Sequence, residues 1–164
     1  SRGEGRSFIT ANLAVLFSQL GRRTLLVDAD MRHPCQHALF GLDNRIGLSA
    51  LLSGRGGPDT IQRIPGLPHL SGLPAGTTRV KPHELLARPV FGSLLDQLAQ
   101  QVDVVLIDSP ATSESADAQV IAVRAGAAMI VVRKNTSRVW RVQGVSNDVS
   151  DGKATVVGAV LNDF

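Results

Sequence analysis

The run Leu25-Leu26-Val27-Asp28-Ala29-Asp30-Met31-Arg32 decides the fold. With Arg23 and Thr24 it forms a short apolar, partly β-branched segment that halts at an acid, as a strand buried on both faces of a parallel sheet does. Two acids one residue apart, just past such a strand, project into the crevice at the sheet's carboxyl edge, where open α/β folds hold ligands. Taken alone, the run leaves a plainer alternative open, in which Asp28 caps a turn and Asp30 pairs with Arg32 on the surface.

The same pattern recurs outward along the chain. Val102-Asp103-Val104-Val105-Leu106-Ile107 halts at Asp108, and residues 127–132 and 154–161 form two further apolar runs. A shorter one lies at His69-Leu70-Ser71-Gly72-Leu73-Pro74. Between them, apolar residues follow helical period over residues 8–20, with Gly21 as the stop, and over 90–101, 116–124 and 137–149. Strands alternating with helices of this length predict a parallel sheet with right-handed crossovers. Residues 41–89 hold most of the Pro and Gly and several short helical pieces, without an internal repeat or a second domain.

The composition narrows the function classes. A chain of 164 residues fits a single domain over 1–164 and is long enough to bury roughly 70% of its unfolded surface. Hydrophobic residues make up 43%, yet no apolar run approaches the ~20 residues of a membrane span. The polar, glycine-rich start lacks signal-peptide character, and the lone Cys35 excludes an intrachain disulfide and suits a reducing compartment. The chain therefore reads as soluble and cytoplasmic. Seventeen Lys+Arg against 14 Asp+Glu leave only +3, scattered, and aromatics are 4%, so nucleic acid is not an expected partner. His33, His37, His69 and His83 lack metal-ligand spacing, Cys35 has no obvious base, and Trp140 is expected to pack or to anchor an interface.

Three segments carry chemistry. In Gly3-Glu4-Gly5-Arg6-Ser7 the glycines let backbone N–H groups turn inward around phosphate, and the following helix adds its positive end. A cation there covers terminal phosphates, and the Ser7 hydroxyl is suited to Mg²⁺. Alone, the segment reads equally as a glycine turn capping a helix. The run at Leu25–Arg32 is the second segment. The third, Val104-Val105-Leu106-Ile107-Asp108-Ser109-Pro110, ends a strand in an acid where phosphate-loop enzymes place the acid of the metal site, or else in a simple Asp-Ser-Pro turn. All three fall at strand ends, so a parallel sheet gathers them at one edge.

The set GEGRS, LLVDADMR and VVLIDSP resembles the Walker A, A′ and B motifs of bacterial tyrosine kinases (BY-kinases), relatives of the MinD/ParA ATPases that serve capsule and exopolysaccharide export. The resemblance covers nearly the whole chain, through Arg32-His33-Pro34, Leu39-Phe40-Gly41-Leu42, Asn44-Arg45-Ile46-Gly47-Leu48-Ser49, Leu73-Pro74-Ala75-Gly76, Glu84-Leu85-Leu86, Ser115-Ala116-Asp117-Ala118 and Val160-Leu161-Asn162. Its nearest subgroup is the exopolysaccharide chain-length-determinant kinases encoded apart from their membrane activator. The resemblance implies an α/β, three-layer P-loop NTPase-type fold with a mostly parallel central sheet flanked by helices. It implies ATP/ADP and Mg²⁺ as cofactors. Gly3, Glu4, Gly5, Arg6, Ser7 and Phe8 make up the nucleotide loop, and Asn162 sits where relatives contact adenine. Ser7, Asp30 and Asp108 make up the metal site. Asp28 and Asp30 are the implied catalytic acids, with Arg6 and Arg32 as catalytic cations; Arg32 either neutralises transition-state charge or orders the acids.

Three departures stand out. Arg6 replaces the usual lysine, and its planar fork does not simply substitute for a compact ammonium. Phe8 stands where relatives have threonine, and as an apolar residue it is expected to pack into the core. The relatives' C-terminal tyrosine cluster has no counterpart, since the sequence contains no tyrosine; the first strand and the C-terminal tail are expected to be missing from it. The resemblance implies an ATP- and Mg²⁺-dependent protein-tyrosine kinase that regulates exopolysaccharide synthesis, export and chain length. Its implied partners are a membrane-bound activator, a protein tyrosine substrate and further copies in a homo-oligomer, at the inner face of the plasma membrane. The alternative is a MinD/ParA-like assembly switch that binds ATP without kinase turnover. A nucleotide-free scaffold is the third reading.

Overall fold

The computed structural model describes residues 3–163; Ser1, Arg2 and Phe164, the ends of the domain expected over 1–164, lie outside the described residues. Helix α1 (Arg6–Gln19) starts at Gly5, whose φ of 85° is left-handed. It ends as the sequence predicts: Gly21 N donates to Ser18 O, Arg22 N donates to Phe17 O, and Gly21 has φ 78°, the paired bonds that close a helix on a glycine. Strand β1 (Thr24–Asp28) follows and is buried at every position. Short helices α2 (Gln36–Phe40) and α3 (Leu48–Leu52) lead to strands β2 (Gln62–Arg63) and β3 (Leu70–Leu73). Helices α4 (Pro82–Leu86) and α5 (Pro89–Gln101) precede β4 (Val104–Asp108), and α6 (Asp117–Ala125), β5 (Ala127–Arg133), α7 (Val139–Asp151) and β6 (Thr155–Asn162) complete the chain.

The strands form a sheet in the order β2-β3-β1-β4 and a pair β5-β6. All pairings are parallel except that of β2 with β3. Alternation along β1 makes the layers. Leu25 and Val27 join Phe91, Leu95, Leu98 and Ile121 in a core formed with α5 and α6, while Leu26 joins Ala14, Ile64 and Leu70 beneath α1. Phe91 is fully enclosed, and burying an aromatic of this size contributes on the order of 3 kcal/mol.

The mostly parallel central sheet expected from the sequence is seen as a four-stranded block and a parallel pair. A cavity of about 990 Å³ lies between them, walled by Val105, Leu106 and Ile107 of β4, Ile130 and Val132 of β5, and Leu13 of α1. No described helix is long and apolar enough to cross a membrane.

Phe8 corrects an expectation. It does not pack into the core but is 61% exposed. The buried positions of α1 are Ala11, Ala14 and Ser18, and Phe8 lies ahead of them in the first turn, at the end of the helix.

Candidate functional site

Parallel pairing of β1 with β4 puts Asp28 in register with Asp108. Both carboxylates are buried at the carboxyl edge. Asp28 Oδ2 accepts from the backbone N–H groups of Cys35 and Gln36, each at 3.0 Å, and Oδ1 accepts from Asp30 N at 3.2 Å. Burial nevertheless outweighs these bonds and lifts the Asp28 pKa to about 7, with the charges of Asp108 and Asp30 acting in the same direction. Asp108 is also raised, chiefly by burial, against hydrogen bonds from Gln36 and Ser7. Asp30 Oδ1 accepts from Arg32 N at 3.2 Å and His33 N at 3.0 Å, which curls the segment after β1 back on itself. Burial pushes the nearby Cys35 thiol up, so it is not a ready thiolate.

The glycine-rich segment lies at the start of α1, on the same edge. Arg6 Nη1 donates to Glu4 Oε2 at 3.2 Å, and Arg6 Nε to the Ser109 carbonyl at 3.4 Å, so the guanidinium spans the loop and the turn after β4. Glu4 is itself buried. Its Oε1 accepts from the Ser137 hydroxyl at 2.7 Å, and its carbonyl accepts from Asn162 Nδ2 at 3.0 Å. Arg133 Nη1 donates to the Gly3 carbonyl at 3.2 Å. The loop is thereby tied to the ends of both β5 and β6. A Cβ on Gly5 would overlap the Asn162 amide, so only glycine fits there.

A helix N-terminus suits phosphate, and hard oxygens beside it suit a hydrated cation. Asp108 Oδ1 is buried and has no hydrogen-bond partner among the described residues. No group of three or more His, Cys, Asp or Glu side chains is disposed to hold a metal among those residues. The orphaned Asp108 oxygen and the Ser7 hydroxyl beside that carboxylate fit Mg²⁺, which keeps several waters and takes few protein oxygens beside those of a phosphate ligand.

Residues 2–164 match the CobQ/CobB/MinD/ParA nucleotide binding domain. The chain is 31% identical over 160 residues to the tyrosine-protein kinase YwqD of Bacillus subtilis, covering 98% of this chain and 68% of that protein. The chain belongs to the bacterial tyrosine kinase family. It is also 33% identical to the tyrosine-protein kinase ptk of Acinetobacter johnsonii, over 98% of this chain but 22% of that protein. The BY-kinase chain spans about a fifth of the length of the first curated relatives it matches. The kinase domain of the Escherichia coli tyrosine kinase ETK superposes with a TM-score of 0.92 at 28% identity, covering 99% of this chain and 64% of that one. The fold is thus that of the P-loop NTPases, α/β with mostly parallel strands.

Within the BY-kinase domain, Asp28 and Asp108 end β1 and β4 in register, Asp30 follows them, Arg6 at the start of α1 reaches the turn after β4, and Asn162 holds the Glu4 carbonyl of the loop. Arg32 points elsewhere: its Nε and Nη2 donate to Asp117 Oδ2 at 3.2 and 3.1 Å, which ties the segment after β1 to the start of α6. Its side chain therefore meets Asp117 and neither Asp28 nor Asp30, while its backbone N–H donates to Asp30. Gln36, Ser137, Arg133 and Asp117 were not among the expected site residues. Each acts through a partner at least 72 positions away, and a single sequence carries no signal for such pairs.

Proposed function

We propose that the domain catalyses ATP- and Mg²⁺-dependent phosphorylation of tyrosine, in the regulation of exopolysaccharide synthesis, export and chain length. The observation that carries this reading is the register pairing of Asp28 with Asp108 beneath the N-terminus of α1, within a chain of the bacterial tyrosine kinase family. The tyrosine oxygen bonds to the γ-phosphorus as the bond to the bridging oxygen breaks, ADP leaves, and the phenolic proton passes to a carboxylate. Asp28, with a pKa near 7, is suited to take that proton. Ser7 and Asp108, with Asp30 through water, would hold Mg²⁺, which would supply charge neutralisation on the nucleotide's phosphates. Gly3, Gly5, Arg6 and Ser7 cradle the phosphates, Glu4 braces that loop, Phe8 flanks it and Asn162 borders the base. The 164 residues contain no tyrosine, so the acceptor comes from outside them.

The same reading places the domain in the cytoplasm beside a membrane-bound activator, in a homo-oligomer. The apolar walls of the cavity between β4 and β5 support one more parallel strand there, leading into the phosphate loop. Transfer of label from γ-labelled ATP to a tyrosine peptide, lost in Asp28→Ala and Asp30→Ala, is the expected result. Tight ATP binding with no transfer, with the activator added, sinks it. The second reading, an ATP-dependent assembly switch, draws on one observation: Arg6 is already engaged by Glu4 and Ser109, which suits holding nucleotide better than tracking a moving phosphoryl group.

A further inference from the structure

Gln36 is 1% exposed and stands at the first position of α2, eight residues past Asp28. It reaches three segments of the site at once. Its backbone N–H donates to Asp28 Oδ2 at 3.0 Å. Its side-chain Nε2 donates to Asp108 Oδ2 at 2.8 Å and to the Ser7 carbonyl at 3.0 Å. One residue therefore joins the end of β1, the end of β4 and the first turn of α1.

The orientation of the carboxamide follows from its partners. Both are acceptors, a carboxylate and a carbonyl, so the nitrogen must face them and the oxygen must turn away. That oxygen, Gln36 Oε1, has no hydrogen-bond partner among the described residues, and neither has Asp108 Oδ1. These two buried acceptors, one on each side chain of the Gln36–Asp108 hydrogen bond, carry a penalty of about 1–3 kcal/mol each without donors. Such a pair is met by donors that arrive with a ligand, and water molecules around a divalent cation are donors of that kind.

We propose that Gln36 is a positioning residue of the metal-nucleotide site: its carboxamide holds the Asp108 carboxylate against the phosphate loop, and its free oxygen and that of Asp108 accept from water carried by a divalent cation. The inference rests on the nucleotide-site reading above and deepens it. Loss of an outer partner of this type lowers metal affinity by about 10- to 100-fold.

The test compares ADP affinity by calorimetry in saturating Mg²⁺ and in EDTA, for the wild type and for Gln36→Leu. The wild type is expected to bind ADP more tightly with Mg²⁺. In Gln36→Leu the ratio of the two affinities is expected to fall about tenfold or more, while affinity in EDTA stays within about twofold. Electron paramagnetic resonance of Mn²⁺ should show the same loss, with more free ion at equal total metal. An unchanged ratio overturns the inference, and so does an equal loss in EDTA, which marks a purely structural role. Should Gln36→Leu not fold, Gln36→Met, uncharged, of nearly the same volume and without the donor, carries the same comparison. If neither variant folds, the role is structural and the inference is overturned. A wild type that shows no Mg²⁺ effect defeats the nucleotide-site reading itself, a result distinct from any difference between variants.

Discussion

Asp28 and Asp108 face each other across paired strands, and neither carboxylate reaches solvent. Two buried acids side by side make ionisation costly, which is why the Asp28 pKa is lifted from 3.8 to about 7, chiefly by burial. Below 3.8 the group is protonated in the folded and unfolded chain alike, and its contribution to stability is fully present. Between 3.8 and about 7 the unfolded chain gives up the proton while the folded one keeps it, so stability falls as pH rises. Asp108, raised for the same reason, adds to the slope. The melting temperature of nucleotide-free protein in EDTA is expected to drop from pH 5 to pH 7 by several degrees, from a loss of about 2 kcal/mol. Transfer activity should run the other way, rising as Asp28 ionises. A melting temperature that climbs over that interval would contradict the origin given for the shift.

Arg6 divides its fork between Glu4 and the Ser109 carbonyl. Removing it in Arg6→Ala takes away one charge-assisted phosphate contact, worth about 1.5–3 kcal/mol, and should weaken ATP binding about 10- to 100-fold. Lysine keeps the charge but cannot make both of those bonds, so its ammonium is less tethered to the loop. Arg6→Lys is expected to bind ATP within about threefold of wild type and to transfer phosphate faster. Single-turnover kinetics beside calorimetric affinities separate the two effects. A slower Arg6→Lys would mean that the planar fork itself serves the transition state.

Much of this site was legible because apolar runs that halt at an acid mark strand ends. Thr24–Asp28 and Val104–Asp108 both followed that rule, and parallel pairing then brought their acids together. The two-residue strand Gln62–Arg63 was not legible, since polar residues become a strand there only by pairing with Gly72 and Ser71. Phe8 was misjudged because residue type was read without its place in the first turn of α1, ahead of the first buried position, Ala11. The contacts Glu4 makes with Ser137 and Gln36 with Asp108 span 133 and 72 positions, and they exist only after the chain has folded. Residue types at strand ends can be read along a sequence, but their supporting partners cannot.

Gly5 tests the loop geometry most sharply. Its φ of 85° is strained for any side chain, and a Cβ would collide with the Asn162 amide that bonds the Glu4 carbonyl. Gly5→Ala is expected to cost about 1–3 kcal/mol in stability and to open the tie between the loop and the end of β6. Chemical denaturation measures the first effect and ADP binding the second. A variant with wild-type values for both would show that the loop does not need this conformation.

Arg32 and Asp117 decide between a catalytic and an ordering role for the arginine. Asp117 is almost fully buried, with its Oδ2 held by two nitrogens of Arg32. Taking away Arg32 leaves that carboxylate without its cation, a loss that can reach 3–5 kcal/mol for a fully buried pair. About a third of the Arg32 side chain remains exposed, so solvent screening reduces the expected cost of Arg32→Ala to about 1–3 kcal/mol. Asp117→Asn removes the stranded charge, so the double variant should recover part of that loss, with a coupling of about 1 kcal/mol in the four-way cycle. If the pair serves to hold the segment whose Arg32 and His33 N–H groups donate to Asp30, activity should recover in step. If transfer stays abolished in the double variant while stability returns, Arg32 acts on the reacting phosphate and the ordering role fails.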